Sequence, residues 1–318
     1  MINRLPLVSE TTRAAVERTL EMLEYIPNHA ARSLHSSTSK AVGLVVPTMR
    51  NAVFVPTIEA IERTLGESGY ALLISCSNRD SERELTQVRG LIERGVDGMI
   101  LSGSARHSKV IPLLGRLGIP FVCHDHVGPL PDYAAVALDN AGAMHLAIDH
   151  LVKLGHRRIA LLTGPPHETP PVAERLDSAK ARLASHGIVV AKNRIEILKS
   201  FDAAVARQGA RRLIGLAPRP TAIACTGDVP ALAAIAECRA AGLTIPDDIS
   251  IFGCGDLALA QFAEPALTTI RLRYGEMGAR AAEILLSLIA GEDKRDGIIL
   301  PVELVAGETV GRPTRKRA

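Results

Sequence analysis

From Ala41 onward the sequence alternates short apolar runs with longer amphipathic stretches, and it does so twice. AVGLVVP, ALLISCS, DGMILSG, PFVCHD and AAVALDN have the length and the Val, Ile and Leu content of buried strands, and helical patterns lie between the first four, near 54–65, 81–94 and 108–117. After Asn140 the rhythm restarts: RRIALLTG, RIEIL, TAIACTG and ISIFGCG alternate with helical patterns near 144–154, 171–186, 203–216 and 229–241. Strands that are apolar on both faces and separated by helices form parallel sheets covered on both sides. Two such halves predict an α/β chain of two doubly wound lobes facing one cleft, with ligand at the carboxyl ends of the strands.

The first forty residues follow a different pattern. SETTRAAVERTLEMLEYIPN opens on a Ser cap, places acids early, and sets Ala15, Val16, Leu20 and Leu23 at helical spacing. This predicts one amphipathic helix of about four turns whose apolar stripe needs a partner to cover it. YIPNHAARSLHSSTSK then reads as a short helix capped by Asn28 and a polar linker at 36–39. Such a helix is too short to be stable alone, so it suits a hinge that orders when something docks on it.

Several classes are disfavoured by composition. Only 3% of the 318 residues are aromatic and none is Trp, which argues against a base-stacking surface for single strands. The five cysteines are odd in number and scattered through apolar patterns, with no CxxC pair, so they read as reduced core residues and no metal site is expected. No signal peptide and no membrane-length apolar run is present, and a cytoplasmic protein is expected. There is no GxGxxG, P-loop or nucleophile elbow, and the HDH at 124–126 lacks further ligands, so neither enzymatic activity nor a cofactor is expected.

YIPN, AARSL and an AVGLVVP strand in succession resemble the hinge and first core strand of the lac-repressor-like (LacI/GalR) family of bacterial transcriptional regulators. LGHRRIALLTGP at 154–165, IPDDISIFG at 245–253 and PALTTIR at 265–271 are similar to family signatures in the same order and spacing. Ile2, Asn3, Val8, Ser9, Thr12, Arg13, Val16 and Leu23 match the end of the recognition helix, a turn and the third helix of a helix-turn-helix headpiece. The earlier part of that headpiece does not occur in the sequence, and DNA just upstream of the Met1 codon is expected to encode it in frame, in roughly twenty residues. A truncated core that binds effector without operator, and a solute-binding protein, are the alternatives to a full regulator.

The resemblance implies a partial headpiece and hinge over 1–40 and a periplasmic-binding-protein-like core over 41–318. Its first lobe takes about 41–139 plus 271–297, and its second about 140–270 plus 298–311. Operator DNA, a small effector and a second copy of the chain are the implied partners, with no membrane. In the hinge, Leu34 is the implied minor-groove wedge, with Asn28, Ala31 and Arg32 facing the groove or backbone; a linker without a DNA role is the alternative. Residues 1–40 hold five Lys or Arg against four Glu, little charge for phosphate binding.

For the effector, the resemblance implies Phe54, Asp125, Asp139, Arg175, Phe201, Asp228 and Asp256, each with an ordinary packing, turn or capping role as its alternative. Arg175 matches the arginine of the family's ERLAG pattern, although Asp177 and Ser178 stand where Ala and Gly are usual. Where the family reads GFDD or GYDD this chain reads GCGD, so Gly255 replaces a carboxylate that commonly grips a sugar hydroxyl. Thr226, Gly227 and Asp228 replace a usual ND pair. Loss of these acceptors relieves repulsion toward an anion, and GxGD resembles the gluconate-regulator branch, which points to a sugar acid.

Overall fold

The computed structural model describes residues 9–23, 38–103, 107–292 and 297–314. Helix α1 (Glu10–Met22) begins where Ser9 accepts a hydrogen bond from Thr12 N at 3.3 Å, as the capping pattern predicts. The implied hinge residues Asn28, Ala31, Arg32 and Leu34 lie outside the described residues.

The core is two lobes of the expected kind. In the first, β1 (Ala41–Val46), β2 (Ala71–Cys76), β3 (Gly98–Ser102), β4 (Phe121–His126) and β5 (Ala135–Leu138) run parallel in the order β2-β1-β3-β4-β5. Helices α2 (Phe54–Glu67), α3 (Ser81–Glu93) and α4 (Val110–Leu117) connect the first four strands. The second lobe repeats the plan. It contains α5 (Asn140–Lys153), β6 (Ile159–Thr163), α6 (Pro170–Ser185), β7 (Ile195–Ile197), α7 (Ala203–Ile214), β8 (Ala222–Cys225), α8 (Asp228–Ala240) and β9 (Ser250–Phe252), with strand order β7-β6-β8-β9. In both lobes chain order reverses beside the first strand, between β1 and β3 and between β6 and β8. Connections leave such a point in opposite directions and open a crevice at the carboxyl ends of the strands.

The chain then returns. After β10 (Thr269–Arg271), α9 (Tyr274–Ile289) packs on α2 of the first lobe. The approach is close because residue 278 is glycine; a Cβ there would run into the backbone of Thr57. Thr57 Oγ1 also donates to Tyr274 O at 3.2 Å, which brings the starts of α2 and α9 together. Strand β11 (Gly297–Leu300) then pairs parallel with β5, and β12 (Glu303–Val305) pairs antiparallel with β10. The first lobe therefore runs on to Leu300, and the crossing expected at 297–298 falls at the Pro301 break before β12, because the apolar run GIIL extends the first sheet before a proline interrupts it.

An apolar cluster holds the lobes as one body. It contains Val42, Leu44 and Ile100 of the first sheet, Ile159, Leu161 and Phe252 of the second, and Ile270 and Met277 where the chain crosses. Burying a side chain of this size contributes about 1.5–3 kcal/mol.

Candidate ligand-binding site

The carboxyl ends of the strands enclose a cavity of about 460 Å³ between the lobes. Val46 and Pro47 at the end of β1, Ser102 and Gly103 at the end of β3, and Thr226 and Gly227 after β8 lie in its wall, so the two reversal points face each other across it. Phe54, Phe201 and Tyr274 supply aromatic surface.

Arg175 enters from α6 and is 5% exposed. Its Nε donates to Asn140 Oδ1 at 2.7 Å, one Nη to Thr226 O at 3.0 Å and the other to Tyr274 Oη at 3.3 Å. All three acceptors are neutral oxygens. Burial opposes the guanidinium's charge, but Tyr274, Cys254 and Asp125 around it favour it, and its pKa lies above the ordinary arginine value. Burial also lifts Tyr274 to about 12, against the pull of Arg175, so its hydroxyl stays protonated.

Asp125, next to last in β4, has a left-handed backbone, φ 56°, a conformation that costs a residue with a Cβ about 1–2 kcal/mol. The kink turns its carboxyl into the cavity wall, where Oδ1 is buried without a hydrogen-bond partner. Burial raises its pKa, with Arg175 opposing. Next to it, His124 Nε2 lies 2.6 Å from Ser102 Oγ on the neighbouring strand β3, and His126 Nε2 donates to Pro129 O at 2.9 Å, so each histidine of the HDH sequence is engaged within the first lobe. No cluster of three metal-ligating side chains occurs among the described residues.

Asp228 also lines the cavity, but its oxygens are committed. Oδ1 accepts from Thr269 Oγ1 at 2.6 Å and Oδ2 from Leu257 N at 2.8 Å. Burial raises its pKa while these bonds lower it. The carboxylate fills the space beside Gly255, where a Cβ would lie 3.0 Å from Asp228 Oδ2 and the backbone has φ 149°.

The structure thus gathers Phe54, Asp125, Arg175, Phe201 and Asp228 around one cavity. It places two other expected contacts elsewhere. Asp139 caps α5 by accepting from Gly142 N at 2.7 Å, and Asp256 pairs with Arg271 Nε at 2.6 Å; neither forms part of the cavity wall. A carboxylate next to a helix start or a free guanidinium is captured locally before it can serve a ligand. Sequence reasoning missed Arg79, Asn140 and Tyr274. Asn140 and Tyr274 act by holding Arg175, and a residue whose role is to hold another has no motif of its own.

Residues 148–310 match the family model described as a periplasmic binding protein-like domain. The HTH-type transcriptional repressor PurR of Photobacterium profundum is 32% identical over 291 residues, covering 91% of this chain and 86% of the relative. The lac repressor dimer bound to operator and the anti-inducer ONPF superposes with TM-score 0.87 at 26% identity, covering 97% of this chain and 92% of that one. A LacI family transcriptional regulator from Enterococcus faecium with bound ribose superposes with TM-score 0.75 at 28% identity, over 86% of this chain and 99% of that one. With two lobes, a cavity at their reversal points and relatives aligned over nine-tenths of its length, the chain belongs to the LacI family of ligand-responsive transcriptional repressors.

Proposed function

We propose that the effector of this repressor is a sugar or sugar acid held in the interlobe cavity, and that it acts on a homodimer whose hinge segments hold operator DNA. One observation carries the effector class: Arg175 is a buried cation whose three hydrogen bonds all go to neutral oxygens. Buried charges are ordinarily paired, and a ligand carboxylate supplies the missing anion in the geometry a guanidinium prefers. Asp125 Oδ1 offers an acceptor for a hydroxyl, and Phe54 and Phe201 offer faces for the apolar side of a sugar ring. Gly255 removes a carboxylate that would repel an acid. The ribose-bound neighbour supports a sugar-sized ligand in this fold.

The homodimer reading is supported by exposed apolar side chains: Ile74 on the edge strand β2, and Phe262. Met22 and Leu23 at the end of α1 are exposed as well, an apolar surface that a partner would cover. Effector binding changes the balance between closed and open cleft, which shifts the paired first lobes and so orders or releases the hinges.

Calorimetric titration with matched aldoses and aldonic acids tests the effector. An acid binding at least tenfold more tightly than its neutral sugar is expected; equal binding would remove the acid from the reading, and no binding by either series would remove the sugar.

A further inference from the structure

Arg79 sits in the loop between β2 and α3, on the first lobe, yet the groups its guanidinium meets belong to the second. One Nη donates to Glu168 O at 2.7 Å and to Thr169 Oγ1 at 3.0 Å, and Nε lies 3.7 Å from the Glu168 carboxylate. The guanidinium also stands 5.7 Å from the centre of the Phe201 ring, within cation–π range. Thr169 is the cap residue of α6, the helix that carries Arg175.

The backbone that delivers Arg79 is strained. Asn78 and Arg79 are consecutive non-glycine residues in the left-handed region, at φ 53° and 62°. Such backbone is unfavourable for a residue with a Cβ and persists where surrounding contacts hold it. Here the loop's own bonds do so: Ser77 N donates to Val46 O at 3.0 Å and Asp80 N to Ser77 O at 3.1 Å. The result aims a long cationic side chain across the cavity.

We infer that Arg79 is a clasp: a first-lobe side chain that fastens the mouth of the cleft to the start of α6 and thereby sets how far the closed arrangement is populated. Leverage supports the choice of this contact over another side-chain bond between the lobes, Arg175 to Tyr274. Tyr274 follows directly on the crossing after β10, so a hinge rotation separates that pair little. Arg79 stands in a loop at the cavity wall away from the crossings, and the same rotation pulls its partners fully apart. Four contacts from one guanidinium, two of them charge-assisted hydrogen bonds, bias such an equilibrium by roughly tenfold or more. The inference goes beyond the effector assignment and holds whatever the effector is.

The test uses the full chain with no ligand added. The sequence has no Trp, so Phe201→Trp creates a single fluorophore beside the clasp. In that background Arg79→Ala is expected to raise the acrylamide quenching constant about twofold or more, and in the unmodified background to enlarge the radius of gyration in small-angle X-ray scattering. Arg79→Lys, which keeps charge and stem but lacks the fork, is expected to fall between. Unchanged quenching and unchanged scattering in a variant that still unfolds cooperatively would overturn the clasp. If Arg79→Ala does not fold, the Lys variant decides alone: wild-type values for both observables would equally overturn it. A clasp that opens as expected in a chain that binds neither sugars nor sugar acids would leave this inference standing and remove the effector assignment.

Discussion

Arg175 and Asn140 are joined by a 2.7 Å hydrogen bond from Nε to Oδ1, which ties the helix bearing this cavity-lining cation to the first residue of α5. Because Thr226 O and Tyr274 Oη accept from the same guanidinium, it is fixed in direction before any ligand arrives. Arg175→Ala leaves three buried oxygens without their donors and should destabilise the chain by about 2–5 kcal/mol. Arg175→Lys restores a charge without the fork; it should keep more of the stability while weakening binding of a sugar acid at least tenfold. Thermal unfolding and calorimetry on the same samples check both.

Asp125 gives a pH signature. Its folded-state pKa is raised by burial, with Arg175 opposing, so its contribution to stability is fully present below the unfolded value of about 4 and is lost as pH rises through the folded value. Asp125→Asn removes that loss. The variant should be more stable than the parent at neutral pH, and the difference should vanish as pH falls to about 4. Urea unfolding across this range measures it; a constant difference at every pH would show that Asp125 does not titrate on folding.

Gly255→Asp would restore the family's carboxylate. It also puts a Cβ 3.0 Å from Asp228 Oδ2, on a backbone with φ 149°, and a second negative charge beside a buried acid. A loss of about 2–4 kcal/mol is expected, together with weaker binding of a sugar acid. Unchanged stability would mean that Asp228 is free to leave its place.

At the hinge the resemblance implies, Leu34→Ala should lower operator affinity and leave effector binding unchanged. Gel-shift and calorimetric titrations read the two separately. Equal loss of both would make Leu34 a folding residue rather than a wedge.

The sequence by itself determined the two lobes and the cavity between them. Strand and helix periodicity is a local property, and once the order of elements is set, the handedness of crossovers leaves few ways to lay down a parallel sheet. Phe54, Arg175 and Phe201 were legible through the family resemblance, Arg175 by its match to the ERLAG pattern. Tertiary structure decided which of the acids remained available. Asp139 was taken by Gly142 N three residues on, Asp256 by Arg271, and Asp228 by Thr269 and the backbone of Leu257, while among these four only Asp125 has a buried oxygen without a hydrogen-bond partner. Arg79 was illegible for the same reason in reverse. Its direction is set by two left-handed residues, and its partners lie about ninety positions away, a distance over which a one-dimensional pattern carries no information about contact.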